Sequence, residues 1–271
     1  MIIKAKEFNQ NNNDIYFIEI LSDKIIINDN YNGILILDNN LELIKKLEVF
    51  DDITIYSSFI NNVNEEILLF CPDNECMVYI DLKTYEYNVI YLNNGLENLI
   101  FSNLYEWNEN GLALLTYKGE FYSICIDEKI IQKIDYKEVE RLYSKLYKFY
   151  RESTKQKIIK VFPDEYIAII EDEKCNINAF SYKKQTKHNL NDVSINFIDI
   201  QFKEGIFVLV DENTIEIITP YDKEVLHPDE NYIFLKAKFV SKLNCTYLVT
   251  LSSSNSNINH SKIDMFEIST I

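Results

Sequence analysis

The side chains able to do chemistry are few and scattered. His188, His227 and His260 lie in separate stretches, and none has a second metal ligand beside it. Folding can gather distant residues into a zinc site or a triad, but turn-located surface imidazoles are the favoured reading. Cys71 and Cys76 bracket the segment CPDNEC, a gap of four residues and not the two of a metal knuckle. They read as reduced thiols on facing strands, with a redox-sensitive hairpin disulfide as the alternative. With Cys125, Cys175 and Cys245 the cysteines total five, an odd number without framework spacing, which points to a reducing, cytoplasmic setting. No phosphate-binding glycine loop and no G-x-S-x-G elbow occurs, and five glycines leave little material for either. Glu19 and Asp199, expected on innermost strands, are the remaining candidates for a metal-binding or acid–base pair. Two carboxylates are a thin set for such work. The expectation is a protein that is not an enzyme, with no catalytic residue, metal or cofactor. A hydrolase or lyase with a ligand in a central channel is retained as an alternative.

The stronger signal is acidity placed in turns. The net charge is −16, which disfavours nucleic acid, whose binding requires Lys and Arg to release counterions. It also disfavours anionic membranes. Sorted by side of an antiparallel meander, one set of turns collects Asp29, Asp51, Asp52, Asp73, Glu75, Glu171, Asp172, Glu173, Asp192, Asp211, Glu212, Asp229 and Glu230, with Lys118 and Lys174 as basic exceptions. The opposite turns are mixed, with Lys83, Lys183, Lys184, Lys187, Lys203 and Lys223 among them. One side should therefore carry concentrated negative potential and suit a basic protein partner. The plainer reading, that acidity only keeps the chain soluble, stands beside it.

Residues 137–157 are the basic exception. Lys137, Arg141, Lys145, Lys148, Arg151, Lys155 and Lys157 outnumber Glu138, Glu140 and Glu152, while Val139, Leu142, Tyr143, Leu146, Phe149 and Tyr150 fall at helical spacing. This predicts one inserted amphipathic helix. It either packs its apolar stripe on the body, forms a lid over the channel mouth, or presents Tyr143, Tyr147 and Tyr150 as an aromatic anchor to a partner.

The elements that must position these groups repeat about every 40 residues. Residues 77–84 read MVYIDLKT and are followed by YEYNVIYL; residues 264–270 read DMFEIST, with Glu267 in the place of Asp81 and Thr270 in that of Thr84. Each copy holds four alternating apolar runs, as an antiparallel meander requires. The first has them at 15–21, 24–28, 33–38 and 41–49, and the sixth at 232–240, 246–252 and 261–268 with no fourth. MIIKAKEF, otherwise unused, is expected to supply that strand. Few glycines and prolines occur, so Asn and Asp are expected to take the turn positions.

VYIDLKTYEYNVIYL (78–92), ILILDNNLELIKKL (34–47) and SICIDEKIIQKI (123–134) resemble the outer hairpin of β-propeller repeats of the broad WD40-like and PQQ-like kind. The Trp-Asp dipeptide and Gly-His signature of true WD40 repeats are missing, the one tryptophan being Trp107. The resemblance implies architecture only: an all-β, six-bladed β-propeller of four-stranded antiparallel blades over a single domain, 1–271, closed by the N-terminal strand. The functional expectation is a non-catalytic protein-binding scaffold, foremost an acidic inhibitor or immunity-type protein that neutralises a basic toxin or nuclease. An assembly scaffold without inhibitory action fits the same residues. Richness in Asn, Ile, Lys and Tyr suggests an AT-rich, bacterial coding sequence.

Overall fold

The computed structural model describes residues 2–9, 13–92, 98–153, 157–162, 165–172, 174, 176–184, 186–190, 197–219, 222–242, 245–256 and 260–268. The first strand, β1, is Ile2–Asn9. Blade one follows as β2 (Ile18–Leu21), β3 (Lys24–Asn28), β4 (Gly33–Asp38) and β5 (Leu43–Glu48); blade two as β6 (Ser57–Asn61), β7 (Glu66–Cys71), β8 (Cys76–Asp81) and β9 (Tyr87–Tyr91). Blade three is β10 (Phe101–Asn108), β11 (Gly111–Thr116), β12 (Phe121–Cys125) and β13 (Ile130–Ile134). Two helices intervene, α1 (Tyr136–Leu142) and α2 (Ser144–Ser153). Blade four is β14 (Lys157–Phe162), β15 (Ile167–Glu171), β16 (Ile177–Ser181) and β17 (Thr186–Asn189). Blade five is β18 (Asp199–Lys203), β19 (Ile206–Val210), β20 (Ile215–Ile218) and β21 (Lys223–Leu226); blade six holds β22 (Tyr232–Lys242), β23 (Cys245–Ser254) and β24 (Ser261–Ile268).

Every sheet has four antiparallel strands in chain order, except that β1 completes the last as β1-β24-β23-β22. The fold is a six-bladed β-propeller closed by its N-terminal strand, as the repeat predicts. The chain divides into two compact units of three blades each. One comprises Met1–Ile53 with Asn196–Ile271, and the other Thr54–Ile195.

The gradient of burial across a blade explains its sequence. Ile25, Ile26 and Ile27 on β3, and Ile34, Ile36 and Leu37 on β4, are fully buried. A central strand covered on both faces reads as an unbroken apolar run. The outer β5 (LIKKLE) buries only Leu47, and β1 is mostly exposed. Outer strands such as β1 and β5 thus have room for lysines.

Turn chemistry departs from the expectation in part. Left-handed backbone is taken by Asn30, Asp52 and Asn231, but also by Leu41, Glu65, Glu75, Tyr85, Lys129, Tyr166 and Glu204. The aspartates act instead as acceptors: Oδ1 of Asp38, Asp81, Asp172 and Asp211 each takes an N–H two residues on. Such side-chain turns satisfy backbone donors without requiring positive φ.

The single predicted helix is two. Asp135 caps α1, accepting from the Glu138 N–H. The helix ends where Tyr143 leaves helical geometry, its N–H bonding to the Val139 carbonyl. Blade three fixes the junction. Asn108 Nδ2 donates to the Leu142 carbonyl at 2.9 Å, and Glu106 Oε2 accepts from the Leu146 N–H at 2.9 Å. One strand end thereby supplies a partner to each of the two helix ends that meet there.

Candidate functional site

Within each unit, backbone hydrogen bonds tie the turns between second and third strands to the segments linking blades. In the first unit the Ile53 N–H donates to the Tyr31 carbonyl at 2.8 Å, and the Phe234 N–H to the Glu212 carbonyl at 2.9 Å. In the second, the Leu92 N–H donates to the Glu75 carbonyl at 2.8 Å. Acids in these segments therefore lie on a common side of their own blades. Asp51, Asp52, Glu212, Asp229 and Glu230 are exposed in the first unit, as are Asp73 and Glu75 in the second. Asp211, Glu171 and Asp172 are half-buried. Glu173 and Asp192 lie outside the described residues.

Lysines already hold part of this set. Lys157 lies 2.5 Å from Glu171, Lys46 lies 2.7 Å from Asp29, and Lys187 reaches to 3.5 Å from Asp172. Lys187, expected on the opposite turns, thus extends toward an acidic one. The backbone and side chain of Asn176, with the Lys174 N–H, hold Asp172 at a pKa of about 2. Tyr56 donates to Asp73, and Tyr31 to Asp14. Beneath Tyr31, which stacks on Tyr16 at 5.5 Å, the buried Asn28 satisfies four backbone groups. Its Oδ1 accepts from the Tyr16 and Phe17 N–H, and its Nδ2 donates to the Asp14 and Asn30 carbonyls. The turn presenting these groups is rigidly held.

The aromatic anchor needs correction. Tyr143 is 2% exposed, packed with Val139, Leu146 and Phe149 against Leu115, Phe121, Val161 and Ala168 of blades three and four. Its hydroxyl donates to the Asn110 carbonyl at 2.8 Å. Tyr147 and Tyr150 are half-buried against the same core. The helices fill the space between two blades, because only there does their apolar stripe leave water, and their basic side faces out. Lys145 sits over the Tyr166 ring and Lys148 over Tyr182. Tyr143 is therefore core and not an exposed anchor. Lys155 lies outside the described residues.

Glu19 and Asp199 belong to neighbouring first strands of the first unit, with β22 between them. Sequence reading missed the lysines that accompany them. Lys238 binds both oxygens of Glu19, at 2.7 and 3.0 Å. Burial pulls the Lys238 ammonium down, but Glu19 and Asp199 outweigh it and raise its pKa. Lys236, under burial and the nearby Lys238, is lowered. Asp199 accepts from Gln201 Nε2 at 2.7 Å. Glu19 is thus engaged in an ion pair, which leaves neither of its oxygens free of a donor.

A second unforeseen cluster gathers Glu7, Asp229 and Asp264, whose oxygens lie within 4.8 Å of one another. Two ammonium groups occupy it. Lys4 lies 2.7 Å from Asp264 and 2.6 Å from Glu7, and Lys262 pairs with Asp229 and, at 3.1 Å, Asp264. Lys4 lowers Glu7, and Lys262 lowers Asp229. Such a cluster clips β1 to its blade.

Cys71 lies directly opposite Cys76 between β7 and β8, both buried as free thiols. Their shared hydrogen bond and burial push the Cys71 thiol up, while the bond from Cys71 lowers Cys76. His227 is exposed in the segment linking blades five and six, and His260 is half-buried in the β23–β24 turn; the His188 and Cys175 side chains lie outside the described residues. No helix among the described residues is long and apolar enough to cross a membrane.

No protein-family model matches the chain, and no curated protein matches it in sequence. Among solved structures it is similar to the β-propeller domain of Cps50 (Swd1) from Myceliophteria thermophila. The identity is 9% and the TM-score 0.48, over 99% of this chain and 100% of that one. That likeness concerns fold alone.

Proposed function

We propose that this propeller is a non-catalytic binding scaffold that engages a basic protein through its acidic turns. Its finer role, on this reading, is to neutralise a basic toxin or nuclease. The observation that carries it is the set of exposed carboxylates on the turns, Asp51, Asp52, Glu212 and Glu230 in one unit and Asp73 and Glu75 in the other. They project from short turns fixed by side-chain and backbone hydrogen bonds, so little ordering entropy is lost when a partner docks. Negative potential in such turns steers a cationic surface and occupies the place of a polyanion. The propeller fold fits a protein-binding scaffold.

The test is to recover the partner from the native source at low and moderate salt, then add the chain back in equal amount. Loss of the partner's activity on nucleic acid supports neutralisation. Undisturbed activity of a bound basic partner would replace it with an assembly role.

A further inference from the structure

We propose that the cleft between blades three and four, beside the C-terminal half of α2, binds a small amphipathic anion: an apolar body carrying one carboxylate, sulfonate or phosphate. The cleft holds about 240 Å³. That is below the usual range for drug-sized ligands, roughly 300–1,000 Å³, so a fragment-sized ligand fits and a nucleotide does not. Its floor is apolar, made by Leu104, Leu115 and Val161.

Both strands that flank the cleft break regular pairing where they line it. On β10 the step from Phe101 to Tyr105 is answered on β11 only by Thr116 to Leu114. On β14 the step from Ile158 to Lys160 is answered on β15 by Ile170 to Ile169. The extra residues thus created, Ser102, Asn103 and Ile159, are cleft residues. Bulges of this kind re-aim side chains and recur beside functional sites. The third wall is the β11–β12 turn, where Gly119 adopts φ +81° and a side chain there would meet nothing within 4 Å.

Charge selects the ligand. The protein carries −16 overall, yet the charged residues that line the cleft are Lys157 and Lys160. Lys157 shares its charge with Glu171, and Lys160 lies 5.6 Å from the Phe162 ring centroid. At the mouth stand Tyr117 and Ile100, 72% and 68% exposed. Their backbones are joined by the Tyr117 N–H to the Ile100 carbonyl at 3.0 Å. An anion with an apolar body uses both features.

The test titrates the full chain with anilinonaphthalene sulfonate and, in parallel, with phenylnaphthylamine, the same ring system without the sulfonate. The expected result is saturable binding of the sulfonate at one site, blocked by Asn103→Trp, which fills the cleft from an exposed position. Lys160→Glu should weaken the sulfonate roughly tenfold or more and leave the neutral dye unchanged. Circular dichroism establishes that both variants remain folded. Equal affinity for the two dyes, equal loss of both in Lys160→Glu, or sulfonate binding untouched by Asn103→Trp would overturn the proposal. The basic partner plays no part in this experiment, so either proposal can fail alone.

Discussion

Lys4 on β1 holds its ammonium 2.7 Å from the carboxylate of Asp264 on β24. These neighbouring strands are ladder partners from Ile2↔Ile268 to Asn9↔Lys262. Asp264 is 4% and Lys262 3% exposed, so this one pair of the cluster sits largely out of water. Removing Lys262 there takes one of two ammonium groups from the buried Asp264, which keeps Lys4. Lys262→Met should therefore cost about 3 kcal/mol, read as a lower urea midpoint with unchanged slope. Deleting residues 1–8 exposes the edge of β24 and should lower the melting temperature by on the order of 10 °C. An unchanged melting temperature would refute the closing role of β1.

The same cluster sets an acid limit. Hydrogen bonding and charge from Lys4 and Lys262 hold Glu7 and Asp229 below their ordinary values, and Asp172 titrates near 2. Their folded pKa values are depressed, so the stability they contribute is complete above the unfolded carboxylate range, ~4. It is lost as pH falls through the folded values. Melting temperature should be level from about pH 8 to 6 and fall below ~4. Lys262→Met should flatten that fall; an identical acid slope in the variant would contradict the assignment.

Asn28 is fully buried and satisfies four backbone groups at the root of an acidic turn. Asn28→Ala strands two N–H donors and two carbonyls, and should cost about 2–3 kcal/mol. Hydrogen exchange should speed at Tyr16 and Phe17 before it does at the strand centres.

Tyr143 separates packing from hydrogen bonding. Tyr143→Phe removes only the bond to Asn110 and should cost about 1 kcal/mol. Tyr143→Ala also opens a cavity between blades three and four and should cost roughly 3–5 kcal/mol. Lys137→Glu and Arg141→Glu, on exposed positions, should change stability by less than about 0.5 kcal/mol. A large loss in the exposed variants would show that the outward side of α1 is packed.

Thiol access gives a further check. Cys125 is exposed, Cys245 half-buried, and Cys71 and Cys76 fully buried. Alkylation of the native protein should modify Cys125 before Cys245 and reach Cys71 and Cys76 only on unfolding. Early modification of the facing pair would place β7 and β8 nearer the surface.

Strand order was legible because each blade is local: apolar runs such as Ile25–Ile27 and the turns that punctuate them lie within one 40-residue copy. Acidic turns were legible for the same reason. Helical spacing of Val139, Leu146 and Phe149 announced a buried stripe, but periodicity does not say against what it is buried, so Tyr143 read equally well as core or anchor. The break at Tyr143 has no glycine or proline to mark it. Ion pairs were the least legible: Lys238 lies far from Glu19 in sequence, and Asp264 far from Lys4, so only the blade arrangement brings them together.

The acidic-turn account is tested most directly by exchanging charge where nothing in the core depends on it. Asp51, Glu75, Glu212 and Glu230 are all exposed. Wild-type chain and a variant with these four changed to lysine would be used in parallel to capture proteins from the native source, at low and moderate salt, with identification by mass spectrometry. The account predicts a basic protein recovered in near-equal amount by the wild type, released by salt, and lost in the variant. The same protein recovered equally by both, or a captured protein that is acidic, would contradict it.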